Sequence, residues 1–396
     1  MNILFACHRF PYPPNRGGKI RPYHMIRALS RQHRVTVLTL AESQEELNAG
    51  ARLRDYCADI MAELMPPIRR WFKAYAALPT FYPSSVAYFD CAALRARVTQ
   101  LIQTQRFDAI VVHCAFVAPY VAAVRAKRKI LDFGDLDSQK WAEYGRHRSI
   151  PLRYGYALEA WKLLRFEKRM AKCFDHCTVT THGEMADFHR LGIGSSCSVI
   201  PNGVDFEYFR DVEAQGLERP GSKIVFLGKM DYFPNIDGVL FFANEVFPRI
   251  RTMVPDAEFL IVGADPVPAV RELGSRPGIT VTGFVPDVRP YLREATLSVA
   301  PLRIARGTQN KILEAMAMGV PVVTTSQAAK GIQATPDRHF LVADAPTEFA
   351  TCVLDLLHDD EMRRRLAREA RWQIEQTHSW DRSMELLEEL LHKPSC

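Results

Sequence analysis

Short apolar runs recur along this chain, spaced so that a helix fits between each pair. Asn2–Cys7, Arg34–Leu40, Asp108–His113, Lys129–Phe133, His176–Thr180 and Cys197–Ile200 lie in the first half. Lys223–Gly228, Ala257–Val262, Ile279–Thr282, Leu297–Ala300, Pro321–Thr325 and Phe340–Val342 lie in the second. Each is of strand length, and Val320–Thr325, β-branched apart from Pro321, reads as a strand covered on both faces. Strands alternating with helices in this way fold as doubly wound parallel sheets. At 396 residues the chain exceeds one ordinary core. The reading is therefore α/β, with two Rossmann-like doubly wound domains. They are expected at 1–210 and 222–376, with the polar stretch Asp211–Gly221 as linker. A C-terminal helix at 377–396, headed by Trp380, is expected to pack back on the N-terminal domain.

Composition narrows the class of molecule. With 47% hydrophobic and 24% charged residues the chain reads as a soluble globular protein, and no apolar run approaches the roughly 20 residues of a membrane span. The opening M-N-I-L-F-A-C has no basic leader and reads as a first strand. Nine scattered cysteines, an odd number, point to a reducing compartment and so to the cytoplasm. Cys173 and Cys177 flank His176, but no second Cys/His pair follows at zinc spacing, and no metal site is read. Charge is uneven: residues 1–210 hold 30 Lys and Arg against 19 Asp and Glu. A basic half fits nucleic acid, anionic lipid or a phosphorylated substrate. No nucleic-acid motif accompanies the charge, so that partner is not expected. Bases mix with aromatics in Ile68–Tyr88 and Lys140–Lys172. Such stretches lie on a membrane surface or are helices whose Arg and Lys stems cover apolar surface.

The stretch most suited to chemistry is Ala305–Val323, A-R-G-T-Q-N-K-I-L-E-A-M-A-M-G-V-P-V-V. It reads as a Gly-containing loop, a helix capped by Thr308 or Asn310, a stop at Gly319 and a strand. A helix start after such a loop favours an anion. Lys311 sits in the first turn, where the helix dipole disfavours a cation unless an anion is near. Glu314 is a carboxylate among small apolar residues, although an isolated helical Glu is ordinarily solvated.

Other candidates stand at strand ends. Gly17-Gly18 follow the first strand and could let backbone N–H groups approach a phosphate, or simply turn the chain. The loop lacks the G-x-G-x-x-G pattern of a nicotinamide site. His113 ends the D-A-I-V-V-H strand, Gly228-Lys229 and Gly283-Phe284-Val285 end two others, and these are the ends where α/β sheets bind ligands. Asp135-Leu-Asp137 could hold a divalent metal, but Asp137 and Ser138 are more cheaply read as helix caps. Gly216 to Gly221-Ser222 lacks the Gly-Lys-Ser/Thr ending of a phosphate-binding loop.

Together these pieces resemble glycosyltransferase family 4, and the resemblance implies the GT-B fold of two Rossmann-like domains facing a cleft. The resemblance rests on Gly17-Gly18, the strand ending at His113, I-P-N-G-V-D at 200–205, F-L-G-K at 226–229, G-F-V-P-D at 283–287, E-A-M-A-M-G-V-P-V-V at 314–323 and Ser379-Trp380. The A-R-G-x-Q-N-K-x-L-E-A-M-A run and Asp132–Ser138 are similar to a sugar-transferase subgroup of exopolysaccharide loci linked to PEP-CTERM protein sorting. The resemblance implies a retaining, metal-independent enzyme, hexosyltransferase in type, with no cofactor beyond its nucleotide-sugar substrate. The acceptor would be lipid-linked or a polysaccharide, and the location cytoplasmic or peripheral at the inner membrane face. By the same resemblance Glu314 binds the ribose hydroxyls. Gly307, Thr308, Gln309 and Asn310 hold sugar and diphosphate, and Lys229 neutralises the leaving diphosphate. Phe284 and Val285 border the base, Gly17 and Gly18 close over the phosphates, and His113 faces the donor sugar.

The chain departs from the family twice. Arg306 stands where the family usually has a Glu, eight residues before Glu314. Pro234 and Asn235 stand where it commonly has a Lys. The expectation is that Arg306 or Lys311 takes over diphosphate neutralisation, Arg306 through its two-point grip on phosphate. Rival readings are a nucleotide-sugar epimerase on the same fold and a catalytically silent nucleotide-sugar-binding homologue.

Overall fold

The computed structural model of the chain describes residues 1–14, 17–194, 196–209 and 221–393. Residues 211–220 of the expected linker lie outside them, as does Gly216. The chain forms two compact units, Met1–Pro201 with Asp381–Cys396, and Asn202–Trp380.

The first unit is built on seven strands: β1 (Asn2–Cys7), β2 (Arg34–Ala41), β3 (Asp59–Leu64), β4 (Ala109–His113), β5 (Arg128–Gly134), β6 (His176–Val179) and β7 (Cys197–Val199). All pair in parallel, in the order β3-β2-β1-β4-β5-β6-β7. The second unit has six: β8 (Lys223–Leu227), β9 (Glu258–Val262), β10 (Ile279–Gly283), β11 (Leu297–Ala300), β12 (Val322–Thr324) and β13 (Leu341–Val342). These too are parallel, ordered β10-β9-β8-β11-β12-β13. Both sheets share one wiring. The first strand is central, the next two step away on one side, and the fourth starts the other side. The order therefore reverses between β1 and β4 and again between β8 and β11, the places where open α/β sheets take ligands.

The central strands are apolar because helices cover both faces. Ile3–Cys7 and Ala109–Val112 are fully buried in the first sheet, and Ile224–Phe226 in the second. The edge strand β3, D-I-M-A-E-L, is not apparent in the sequence, since it is only half-buried and carries two acids. Charge on an edge discourages pairing with another chain, which suits its position. The helix Trp380–His392 returns to the first unit from Asp381 onward. Arg128 Nε donates to the Leu390 carbonyl at 2.9 Å, and Ser383 Oγ to that of Pro201 at 2.8 Å. No helix among the described residues is long and apolar enough to cross a membrane.

Candidate active site

In the second unit the helix that carries Lys311 and Glu314 runs Asn310–Ala317. The expected caps are not formed. Gln309 is the N-cap residue and its side chain does not cap; its Nε2 donates to the Arg306 carbonyl at 3.0 Å. Asn310 lies inside the first turn, and its Oδ1 accepts from Asn202 at 3.4 Å. Thr308 Oγ1 is buried with no hydrogen-bond partner. The cause is the loop path. Gly307 turns at φ +63°, and its carbonyl lies so close to Gly331 that a Cβ there would sit 2.0 Å away. The helix thus starts without a side-chain cap, beside an orphaned hydroxyl, and its free N–H groups suit an anion. Gly319, at φ +64°, ends the helix as expected from its place in the sequence.

Lys311 resolves its unfavourable place in the first turn by turning inward. Its Nζ donates to Asn235 Oδ1 at 2.5 Å and lies 4.3 Å from the Phe226 ring centroid. Asn235, in the first turn of the Phe233–Phe241 helix, donates through Nδ2 to the Lys229 carbonyl at 2.8 Å. Gly228 makes room for this arrangement. A Cβ there would meet Asn235 Nδ2 at 2.6 Å and Lys311 Nζ at 3.2 Å. Burial pulls the Lys311 ammonium down to about 7, against the pull of Glu314. One turn on, burial pushes the Glu314 carboxyl up to about 7 despite Lys311. No hydrogen bond from a described residue reaches that carboxylate. Lys229 is more open, bridging Asp231 at 2.7 Å and Asp265 at 3.0 Å.

The structure therefore gathers Gly228, Lys229, Asn235, Lys311 and Glu314 where β8 and β11 part, with the Arg306–Gln309 loop leading in from β11. Phe284 and Val285 stand apart, after β10 and beyond β9. Gly283 turns at φ +70°, Phe284 is 74% exposed, and Val285 packs against the core. Asn235 is the residue that sequence reasoning missed as a functional group. Its only signal was negative, a missing lysine.

In the first unit His113 ends β4 beside β1. Its Nδ1 is 2.6 Å from Asp132 Oδ2 on β5, which fixes the ring and leaves Nε2 for other work. Asp132 is fully buried and satisfied by Arg21 at 2.8 and 2.7 Å and by Thr178 at 2.7 Å. Burial alone would raise its carboxyl, but Arg21 and His113 hold it well below the usual range. Gly17 and Gly18 open the helix Gly17–Leu29 beyond β1. A Cβ on Gly18 would lie 3.3 Å from Arg9 and 3.7 Å from His8 Nε2, while one on Gly17 would meet nothing. Asp132 and Arg21, which orient His113, were not read as a unit.

The acid pair is a correction. Asp137 and Ser138 do not cap the helix Asp137–Arg146, whose N-cap residue is Leu136. Carboxylates from two other helices do: Glu184 accepts from the Leu136 N–H at 2.8 Å and Glu167 from the Ser138 N–H at 2.9 Å. Burial raises the Glu167 carboxyl to about 8 and that of Asp137 to about 6. Asp135 instead accepts from Thr180 at 3.1 Å. Among the described residues the group of three metal-capable side chains lying together is His33, Glu388 and His392, away from these acids.

Comparison with known proteins agrees with this geometry. Residues 16–203 match the family model described as glycosyl transferase 4-like domain, and residues 221–359 that of glycosyl transferases group 1. No curated protein matches the sequence significantly. Among solved structures, sucrose-phosphate synthase from Thermosynechococcus elongatus superposes with a TM-score of 0.70 at 17% identity, covering 98% of both chains. Anabaena HepE in complex with UDP and glucose gives 0.70 at 15% identity over 99% of both. A variant of S. aureus TarM, bound to fondaparinux, alpha-GlcNAc-glycerol and UDP, gives 0.68 at 11% over 99% of this chain and 100% of that one. With its two parallel sheets in GT-B order and both halves matched, the chain belongs to the group 1, family 4 glycosyltransferases.

Proposed function

We propose that this protein moves a hexose from a UDP-sugar to a lipid-linked or polysaccharide acceptor, with retention of configuration. The observation that carries this is the Lys311 ammonium held at Asn235, one turn before a Glu314 carboxylate that no described residue hydrogen-bonds. The family resemblance expects a lysine at Pro234 or Asn235, and on this reading Lys311 of the Asn310–Ala317 helix supplies the cation instead. UDP is the first nucleotide to test because the HepE and TarM structures hold it.

In the reaction the bond from the anomeric carbon to the diphosphate oxygen breaks, and the acceptor hydroxyl bonds to that carbon. Its proton passes to the departing diphosphate. Lys229, Lys311 and Arg306 stabilise the charge that develops there, together with the uncapped N–H groups after Gly307 and the Thr308 hydroxyl. Glu314 takes the two ribose hydroxyls, Gln309 and Asn310 face the sugar, and Phe284-Val285 border the base. His113, oriented by Asp132, acts at the sugar, and Gly17-Gly18 approach the phosphates. Arg306 in place of the usual acid supports the exopolysaccharide subgroup of the PEP-CTERM type and changed hexose recognition.

The test is a thermal-shift screen against nucleoside diphosphates and nucleotide sugars, followed by product analysis with and without acceptor. A single responding nucleoside diphosphate and a new glycoside support the proposal. A changed nucleotide sugar without acceptor would mark an epimerase, and no response to any nucleotide would mark a silent homologue.

A further inference from the structure

Two helices of the first unit turn large apolar side chains outward. In Pro67–Ala77 the buried positions are Arg70, Ala74 and Ala77, while Ile68, Trp71, Phe72 and Tyr75 face outward. Arg70 is fully buried, donating to the carbonyls of Met65 at 2.7 Å and Ala41 at 3.3 Å and pairing with Glu42 at 3.3 Å. The outward residues recur at i, i+3, i+4 and i+7, so they form one stripe. Ile68 is 79% and Phe72 75% exposed. Leu152–Ala171 packs Leu163, Phe166 and Met170 into the core and buries the charged Glu159 and Lys162, yet exposes Tyr154, Leu158 and Trp161. Glu159 accepts from the N–H groups of Ser84 and Ser85, and Lys162 donates to the Leu78 carbonyl at 2.9 Å. Phe81, 85% exposed, joins the two stripes through its ring contact with Trp161 at 6.3 Å. A contiguous exposed apolar face of this kind is costly in bulk water and marks a contact with another medium or molecule.

Charge selects that medium. Pro66–Phe81 contains no acid, and Tyr144–Phe166 only the buried Glu159. Arg69, Arg153 and Arg165 are exposed on the same helices, with Arg165 stacked 4.9 Å over Trp161. Aromatic rings rimmed by guanidinium groups match the headgroup layer of an anionic membrane. A second copy of the chain would bring like charges together across a two-fold pairing.

We propose that this face docks on an anionic lipid bilayer. The proposal adds to the sugar-transfer reading without depending on it, because vesicle binding is measured with no donor present. The full chain is sedimented with vesicles of phosphatidylcholine alone or mixed with phosphatidylglycerol. Binding is expected to the mixed vesicles only, to weaken with salt, and to fall about tenfold in Phe72→Ser/Phe81→Ser and in Arg69→Glu/Arg153→Glu. Both variants change exposed residues outside the donor site, so circular dichroism and UDP binding are expected to stay as in the parent. No sedimentation with either vesicle would overturn the proposal, as would parental vesicle binding by both variants. So would a dimer in analytical ultracentrifugation that Phe72→Ser/Phe81→Ser dissolves in a protein that ignores vesicles, since that outcome makes a second copy the occupant.

Discussion

Lys311 sits in a first helical turn, where the dipole repels it, and half out of water, which holds its ammonium near a pKa of about 7. The unfolded lysine stays protonated to a higher pH, so between about 7 and its ordinary range the fold holds fewer protons than the unfolded chain. A diphosphate bound as proposed would reverse this by favouring the charged form. Affinity of the free protein for UDP is therefore expected to fall as pH rises above about 7, and this slope is expected to vanish in Lys311→Met; titration calorimetry at pH 6.5 and 8.5 checks it. Glu314 has the opposite sign, since its ionised form is lost below about 7. Glu314→Ala is expected to weaken UDP binding by roughly 2 kcal/mol, for it removes a charged acceptor of hydroxyl bonds. Glu314 and Lys311 were legible as an odd pair in the sequence, but the Asn235 contact was not. It joins two helices far apart in the chain, and only the adjacency of β8 and β11 brings them together. For the role proposed for Arg306, Arg306→Ala is expected to lower turnover and donor affinity together, and unchanged values of both would remove it from the site.

Elements whose pattern answers to burial on both faces could be read directly, as β1, β4 and β8 show. Where another element supplies a bond, local pattern misleads. The start of Asp137–Arg146 carries Asp137 and Ser138, yet Glu167 and Glu184 satisfy its N–H groups from outside the local sequence. Glu167 provides a stability test. Its folded value is raised to about 8, so the protonated form is favoured by folding. Its stabilisation is complete at acidic pH, below the unfolded carboxyl range, and is lost as pH rises toward about 8. Glu167→Gln keeps the acceptor for Ser138 without the charge. Its melting temperature is expected to exceed the parent's by roughly 3 °C at pH 8.5 and to match it at pH 4.5, as followed by circular dichroism. In Pro67–Ala77, where composition left open a membrane surface or base stems over apolar surface, the structure buries Arg70 and leaves Arg69 exposed.

At the scale of the whole molecule, one wiring is used twice, and each copy gathers polar side chains where its strand order reverses. The first unit presents an imidazole fixed by a buried carboxylate, and the second presents two ammonium groups, an uncapped helix start and the Glu314 carboxylate. The alternation of strands and helices made this much legible from the sequence; the edge strand β3 and the partners of each functional group depended on tertiary neighbours. The central claim is that Lys311 has replaced a lost lysine as the diphosphate's counter-charge. The measurement that tests it most directly is calorimetric titration of UDP and of uridine into the parent and Lys311→Met proteins. The account predicts that UDP affinity falls by roughly thirtyfold in the variant while uridine affinity is unchanged. Equal losses for both ligands, or none for UDP, would contradict it.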